Sequence, residues 1–177
     1  VRVSPGAAGT VVSNLRALGI QVSCLDVVGK DGEGYDLLRG LAARGADTTS
    51  LIGSTARMTC TYTKPMMHEP DGRVHELSRL DIRSRDPMPE TLERGIIQRL
   101  EGLIDDVDGI IVADQMPERN HGVMTDRVRA ALCEMAGQRP DLVVAVDSRE
   151  RVGAYRHAIL KPNRHEALRA AWPERDD

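Results

Sequence analysis

The sequence has no phenylalanine, one tryptophan and three tyrosines, 2% aromatic residues in all. So small an aromatic set argues against a pocket that grips a planar base by stacking. Its three cysteines, Cys24, Cys60 and Cys133, are widely spaced and form no C-x-x-C pair. They suit neither a disulfide framework nor a zinc site and read as reduced core residues of a cytosolic protein. No apolar run approaches the ~20 residues that a membrane helix needs. Basic charge is not in excess either: 24 Lys and Arg stand against 27 Asp and Glu, interleaved, for a net charge of −3. That balance offers neither a nucleic-acid surface nor a basic membrane patch. The five histidines show no H-x-x-x-H pairing on a helix, and His165 beside Glu166 reads as a surface residue. No nucleophile triad is visible.

What is present suits a globular α/β domain. The 177 residues are 41% hydrophobic and 29% charged, enough for one domain with its own core. The chain does not begin with Met, and "VRVSPGAAG" reads as a strand end entering a glycine loop. The helix after Asn163 runs only to Trp172, so residues 1–177 are expected to be a single domain incomplete at both ends.

Strand-like and helix-like segments alternate. Residues 8–18 place Ala8, Val11, Val12, Leu15 and Leu18 on one helical face, with Gly19 as the stop. "QVSCLDVV" (21–28) reads as a strand, and Leu37, Leu38 and Leu41 mark a helix over 33–44, stopped by Gly45. A helix from about Glu90 carries Leu92, Ile96, Leu100, Leu103 and Ile104; another from about Thr125 carries Val128, Leu132 and Met135. "DGIIVAD" (108–114), "LVVAVD" (142–147) and "HAILK" (157–161) read as further strands. Continuous apolar strands between helices predict a parallel sheet covered on both faces. Residues 56–80 differ: two β-rich runs with alternating polar residues, turned at Asp71-Gly72, predict an antiparallel hairpin with one exposed face.

Ligands of open parallel sheets sit beyond the carboxyl ends of the strands. Those ends carry Asp31, Asp114, Asp147, and Asn163 with Glu166. Each alone is explained as a helix cap or a solvated turn. Four together, with the glycine loop at Gly6 and Gly9, favour a shared polar site for hydroxyls, phosphates or a divalent cation. The glycine loop is neither G-x-G-x-x-G nor a P-loop.

These segments together resemble the ribokinase-like (PfkB) carbohydrate kinases. "PGAAGTVVSNLRALG" is similar to that family's P-G-G-x-x-N-x-A-x-x-L-x-x-L-G signature, "VSCLDVVGKDGEG" to its strand and G-x-D-x-x-G turn, and "LKPNRHE" to its K-P-N-x-x-E segment. "RLD" (79–81), "VDGIIVAD" and "VVAVDSRERVGAYRHA" are similar in order and spacing to the heptose-phosphate kinase branch. The resemblance implies a doubly wound, mainly parallel sheet with helices on both faces, the 56–80 hairpin being a small β lid. It implies Mg²⁺-dependent transfer of the ATP γ-phosphate to a sugar or sugar-phosphate hydroxyl in the cytoplasm. By position, Gly6, Ala7, Thr10, Asp31 and Asp114 would bind the sugar. Asn163, Glu166 and Asp147 would lie on the nucleotide and phosphate side, with Glu166 reaching the metal through water. A homodimer through the lid is compatible with its exposed edge; no nucleic acid or membrane partner is expected.

The sequence departs from the pattern in places. Ala7 and Thr10 stand where the family has Gly and Asn, "QMPERNHG" follows Asp114, and Ser148 stands where the heptose branch has Pro-Lys. No Gly-Ala-Gly-Asp, the family's general-base segment, occurs in these residues. That base is expected beyond Asp177, and this chain alone is expected to be inactive. An alternative reading is a catalytically degenerate kinase-fold protein that binds a sugar or nucleotide, or acts as an interaction module. A nucleoside acceptor is a third, disfavoured by the scarcity of aromatics.

Overall fold

A computed structural model describes residues 3–173 of the chain. Val1 and Arg2, where the sequence predicts a strand end, lie outside them. The chain forms two compact units, Val1–Arg85 and Asp86–Asp177.

The first unit begins with α1 (Gly6–Ala17), β1 (Val27–Gly29), α2 (Gly32–Ala42) and β2 (Ile52–Ser54). Both helices end as their glycines predict: Gly19 and Gly45 take positive φ, and the next residues, Ile20 and Ala46, bond back to the carbonyls of Leu15 and Leu41. Val12, Leu41 and Ala46 form a small core, packed by Val22, Cys24, Leu37 and Leu51. The strand predicted over 21–28 is split. Ser23 bridges Asp47, whereas Val27 pairs with Ile52, so the partner chain has gained one residue between the two pairings. The Thr48–Leu51 turn holds that extra residue and breaks the ladder.

Residues 61–82 form the expected hairpin. β3 (Thr61–Thr63) pairs antiparallel with β6 (Leu80–Ile82), and β4 (Met66–His68) with β5 (Val74–Glu76). From Thr63↔Leu80 to Met66↔Glu76 the outgoing strand advances three residues and the return strand four. That single extra residue is a bulge, which adds local twist. Exposure is wider than the alternation predicts. Tyr62 on one face and Leu80 on the other are both exposed, as are Met66, Val74 and Ile82. Cys60 is exposed too, and Cys24 and Cys133 are half-buried, so the cysteines are free thiols outside the deep core.

The second unit contains α3 (Glu90–Leu103), β7 (Gly109–Asp114), α4 (Asp126–Gln138), β8 (Val143–Ser148), a 3₁₀ turn (Val152–Ala154), β9 (Ile159–Leu160) and α5 (Arg164–Ala171). The strands form one parallel sheet in the order β7-β8-β9. Its core draws on Ile96 and Leu100 of α3, Val128 and Leu132 of α4, and Val112, Val144 and Val146 of the strands. Thr125 caps α4 by accepting from the Val128 N–H, and its hydroxyl donates to buried Glu93 on α3. Arg127 pairs with the same carboxylate at 3.1 Å, so the charge buried between the helices is compensated. The continuous apolar strands predict cover on both faces, yet Ile111, Val143 and Ile159 remain exposed on the face opposite Val144 and Val146.

Candidate functional site

In the second unit, parallel pairing sets Asp114 beside Ser148 and Ala113 beside Asp147 at the carboxyl ends of β7 and β8. The pleat alternates side chains between the faces, so neighbours in sequence meet different fates. Asp114 points inward and is 3% exposed. Its Oδ2 accepts from the Ser148 hydroxyl at 2.7 Å and the Tyr155 hydroxyl at 3.2 Å, and its Oδ1 faces the Arg151 guanidinium at 3.3 Å. Arg151 also donates to the carbonyls of Met116 and Pro117. Burial, then the Asp114 charge and the hydrogen bond to it, push the Tyr155 phenol well above its ordinary value. Asp114 is therefore the hub of a buried polar network.

Asp147, one residue before Ser148, faces the other way. It is half-buried and pairs with exposed Lys161 at 3.1 Å, while exposed Arg149 donates to Gln115 Oε1 at 2.8 Å. Past β9 the chain turns into α5 through a reciprocal cap. Glu166 N–H donates to Asn163 Oδ1 (2.9 Å), Asn163 N–H to Glu166 Oε2 (2.7 Å), and the Asn163 amide to Glu166 Oε1 (2.8 Å). This is a capping box built on asparagine. Asn163 is exposed, whereas Glu166 is buried at 9%. The structure thus gathers Asp114, Asp147, Asn163 and Glu166 at the carboxyl edge of one sheet.

The predicted residues of the first unit cluster in two places. Gly6, Ala7 and Thr10 form the opening turns of α1, and the Thr10 hydroxyl donates to the Gly6 carbonyl at 2.8 Å. Ala7 and Thr10 are both exposed. Asp31 caps α2, its Oδ1 accepting from the Gly34 N–H at 2.7 Å. The same carboxylate takes two further bonds from Thr59, a residue whose role no local spacing reveals. Sequence reasoning also missed Ser148, Arg151 and Tyr155. Among the described residues, no group of three or more His, Cys, Asp or Glu side chains could cage a metal ion.

No protein-family model matches the chain. It is 36% identical over 164 residues to the bifunctional protein HldE of Citrifermentans bemidjiense, an alignment covering 92% of this chain and 32% of that protein. The HldE of Helicobacter pylori is 28% identical over 162 residues, 91% of this chain and 33% of its own length. The chain therefore spans about a third of the length of these curated relatives. Among solved structures, a sugar kinase from Clostridium perfringens superposes with a TM-score of 0.59 at 14% identity, over 97% of this chain and 51% of its own. A sugar kinase from Pyrococcus horikoshii in complex with ATP superposes with a TM-score of 0.52 at 15% identity, over 80% and 42%. The fold shared with these proteins is that of the ribokinase-like sugar kinases, an α/β fold.

Proposed function

Because this chain is a homologue of the HldE proteins with a ribokinase-like sugar-kinase fold, we propose that it is part of a carbohydrate kinase. The reaction is transfer of the ATP γ-phosphate to a hydroxyl of a sugar or sugar phosphate. The observation that carries this reading is the Asn163–Glu166 element at the carboxyl edge of the parallel sheet, next to Asp147 and Lys161. Ligands of such sheets bind at that edge, and phosphoryl transfer needs positioning and charge neutralisation more than covalent help.

On this reading Gly6, Ala7, Thr10, Asp31 and Asp114 serve the sugar, and Asp147, Asn163 and Glu166 serve the nucleotide phosphates. Glu166 fits Mg²⁺ in an outer-sphere role. Each of its oxygens accepts one bond in the cap, and a carboxylate has about four lone-pair sites, so acceptor capacity is left for metal-bound water. Mg²⁺ carried on nucleotide phosphates usually keeps several waters, which an outer-sphere carboxylate can accept from. Bound there, Mg²⁺ would neutralise phosphate charge. Asn163 holds the Glu166 carboxylate in place, and Lys161 balances Asp147. No Gly-Ala-Gly-Asp occurs in this sequence, and on this reading the chain alone is inactive. The protein acts in the cytoplasm, and the exposed hairpin is the face through which two copies would pair.

Two features favour a second reading, a kinase-fold protein that binds without catalysis: Ala7 in the glycine loop, and a Thr10 hydroxyl already committed to the Gly6 carbonyl. Calorimetry with ATP and a panel of sugar phosphates, run beside a turnover assay of the full-length protein, separates the two. Binding with turnover supports the kinase, and binding without turnover supports the second reading.

A further inference from the structure

The hairpin 61–82 is exposed along its strands, so its orientation is decided where it joins the rest of its unit. There the Met58 N–H donates to the Ser84 hydroxyl oxygen at 2.9 Å, tying the incoming and outgoing arms together. The next residue, Thr59, is densely bonded. Asp31 Oδ1 accepts from the Thr59 hydroxyl at 2.7 Å and from the Gly34 N–H at 2.7 Å, and Asp31 Oδ2 accepts from the Thr59 N–H at 2.8 Å. The Thr59 hydroxyl oxygen in turn accepts from the Gly29 N–H at 2.9 Å, and Thr59 is 7% exposed. Both glycines of the G-x-D-x-x-G turn are required by close approach. A Cβ on Gly29 would lie 2.1 Å from Asp31 Oδ2 and 2.7 Å from the Thr59 nitrogen, and one on Gly34 would lie 2.1 Å from the Gly29 carbonyl oxygen.

We infer that Thr59 is a positioning residue: through Asp31 it latches the hairpin to the G-x-D-x-x-G turn and thereby sets the grip on the sugar. The functional half of this inference rests on the sugar-kinase reading; the latch itself does not. Three donors converge on two carboxylate oxygens, so an isosteric amide cannot replace the carboxylate: wherever its NH₂ points, it meets a donor. Burial would raise the Asp31 carboxyl, but the bonds from Thr59 and Gly34 outweigh it and hold the acid below its ordinary range. The latch therefore stays ionised across the physiological range.

The test uses the full-length protein as wild type, Thr59→Val, Thr59→Ser and Asp31→Asn, read by amide hydrogen exchange and by steady-state kinetics with ATP and sugar phosphates. Thr59→Val keeps the shape and loses the hydroxyl, whereas Thr59→Ser keeps the hydroxyl. Thr59→Val and Asp31→Asn are expected to speed exchange in the hairpin about tenfold, the cost of losing a charge-assisted bond, and to leave α3 and α4 unchanged. In Thr59→Val the sugar KM should rise about tenfold on the same grounds, with kcat within about twofold, and Thr59→Ser should restore both hairpin exchange and KM. Unchanged hairpin exchange in Thr59→Val overturns the latch, as does Thr59→Ser behaving like Thr59→Val. If Asp31→Asn does not fold, the two Thr59 variants decide alone. If no sugar is phosphorylated even by the wild type, the kinase reading fails and the exchange result still decides the latch.

Discussion

Asp114 shows what a single side chain costs and contributes at a strand end. Its charge is 3% exposed and compensated by Arg151, Ser148 and Tyr155. Removing one partner of a buried pair strands the other. Asp114→Asn is therefore expected to destabilise the protein by about 3 kcal/mol in urea denaturation; a loss under about 1 kcal/mol would show that Arg151 finds water instead. Tyr155 adds a pH signature. Its phenol is raised in the folded state by burial and by Asp114, so the fold requires the protonated form. An unfolded tyrosine ionises near pH ~10. The Tyr155 contribution is complete below that pH and is lost as pH rises above it. Stability measured from pH 8 to pH 11 should fall at the alkaline end on this account, and Tyr155→Phe should flatten that part of the curve. The sequence shows Asp114 clearly at the end of an apolar strand. It hides the partners, which lie 34, 37 and 41 residues away and meet it only through parallel pairing and the turn after β8.

Elements were legible where their ends carry their own chemistry. Gly19 and Gly45 stop α1 and α2, Thr125 starts α4, and Asn163 starts α5, all as spacing and caps predict. The gaps are where non-local pairing decides: β2 has no strong strand signal, the β1 ladder breaks at a one-residue slip, and both hairpin faces meet solvent. The α5 cap answers two questions at once. As a capping box, Asn163→Ala should cost about 1 kcal/mol, seen as faster amide exchange confined to 164–171. As a phosphate-side element, Glu166→Gln should weaken Mg²⁺ dependence and turnover by roughly 10–100-fold, as loss of an outer-shell metal partner does. A Glu166→Gln protein with an unchanged Mg²⁺ titration would leave the cap as the sole role of this element.

At the scale of the molecule, the fold was the most legible feature, because three motif-bearing turns are each a local glycine or cap pattern: the α1 loop, the G-x-D-x-x-G turn and the K-P-N-x-x-E segment. Substrate choice was not legible, since the sequence departs from the family pattern at Ala7, Thr10 and Ser148. Phosphoryl transfer from ATP to a sugar hydroxyl is tested most directly by following ATP and sugar phosphates together by phosphorus NMR with the full-length protein. A sugar kinase should yield ADP and a new sugar-phosphate resonance in equal amounts, only with Mg²⁺ present, and much more slowly in Glu166→Gln. Ligand binding with ATP left intact across the whole panel of sugars and sugar phosphates would contradict it.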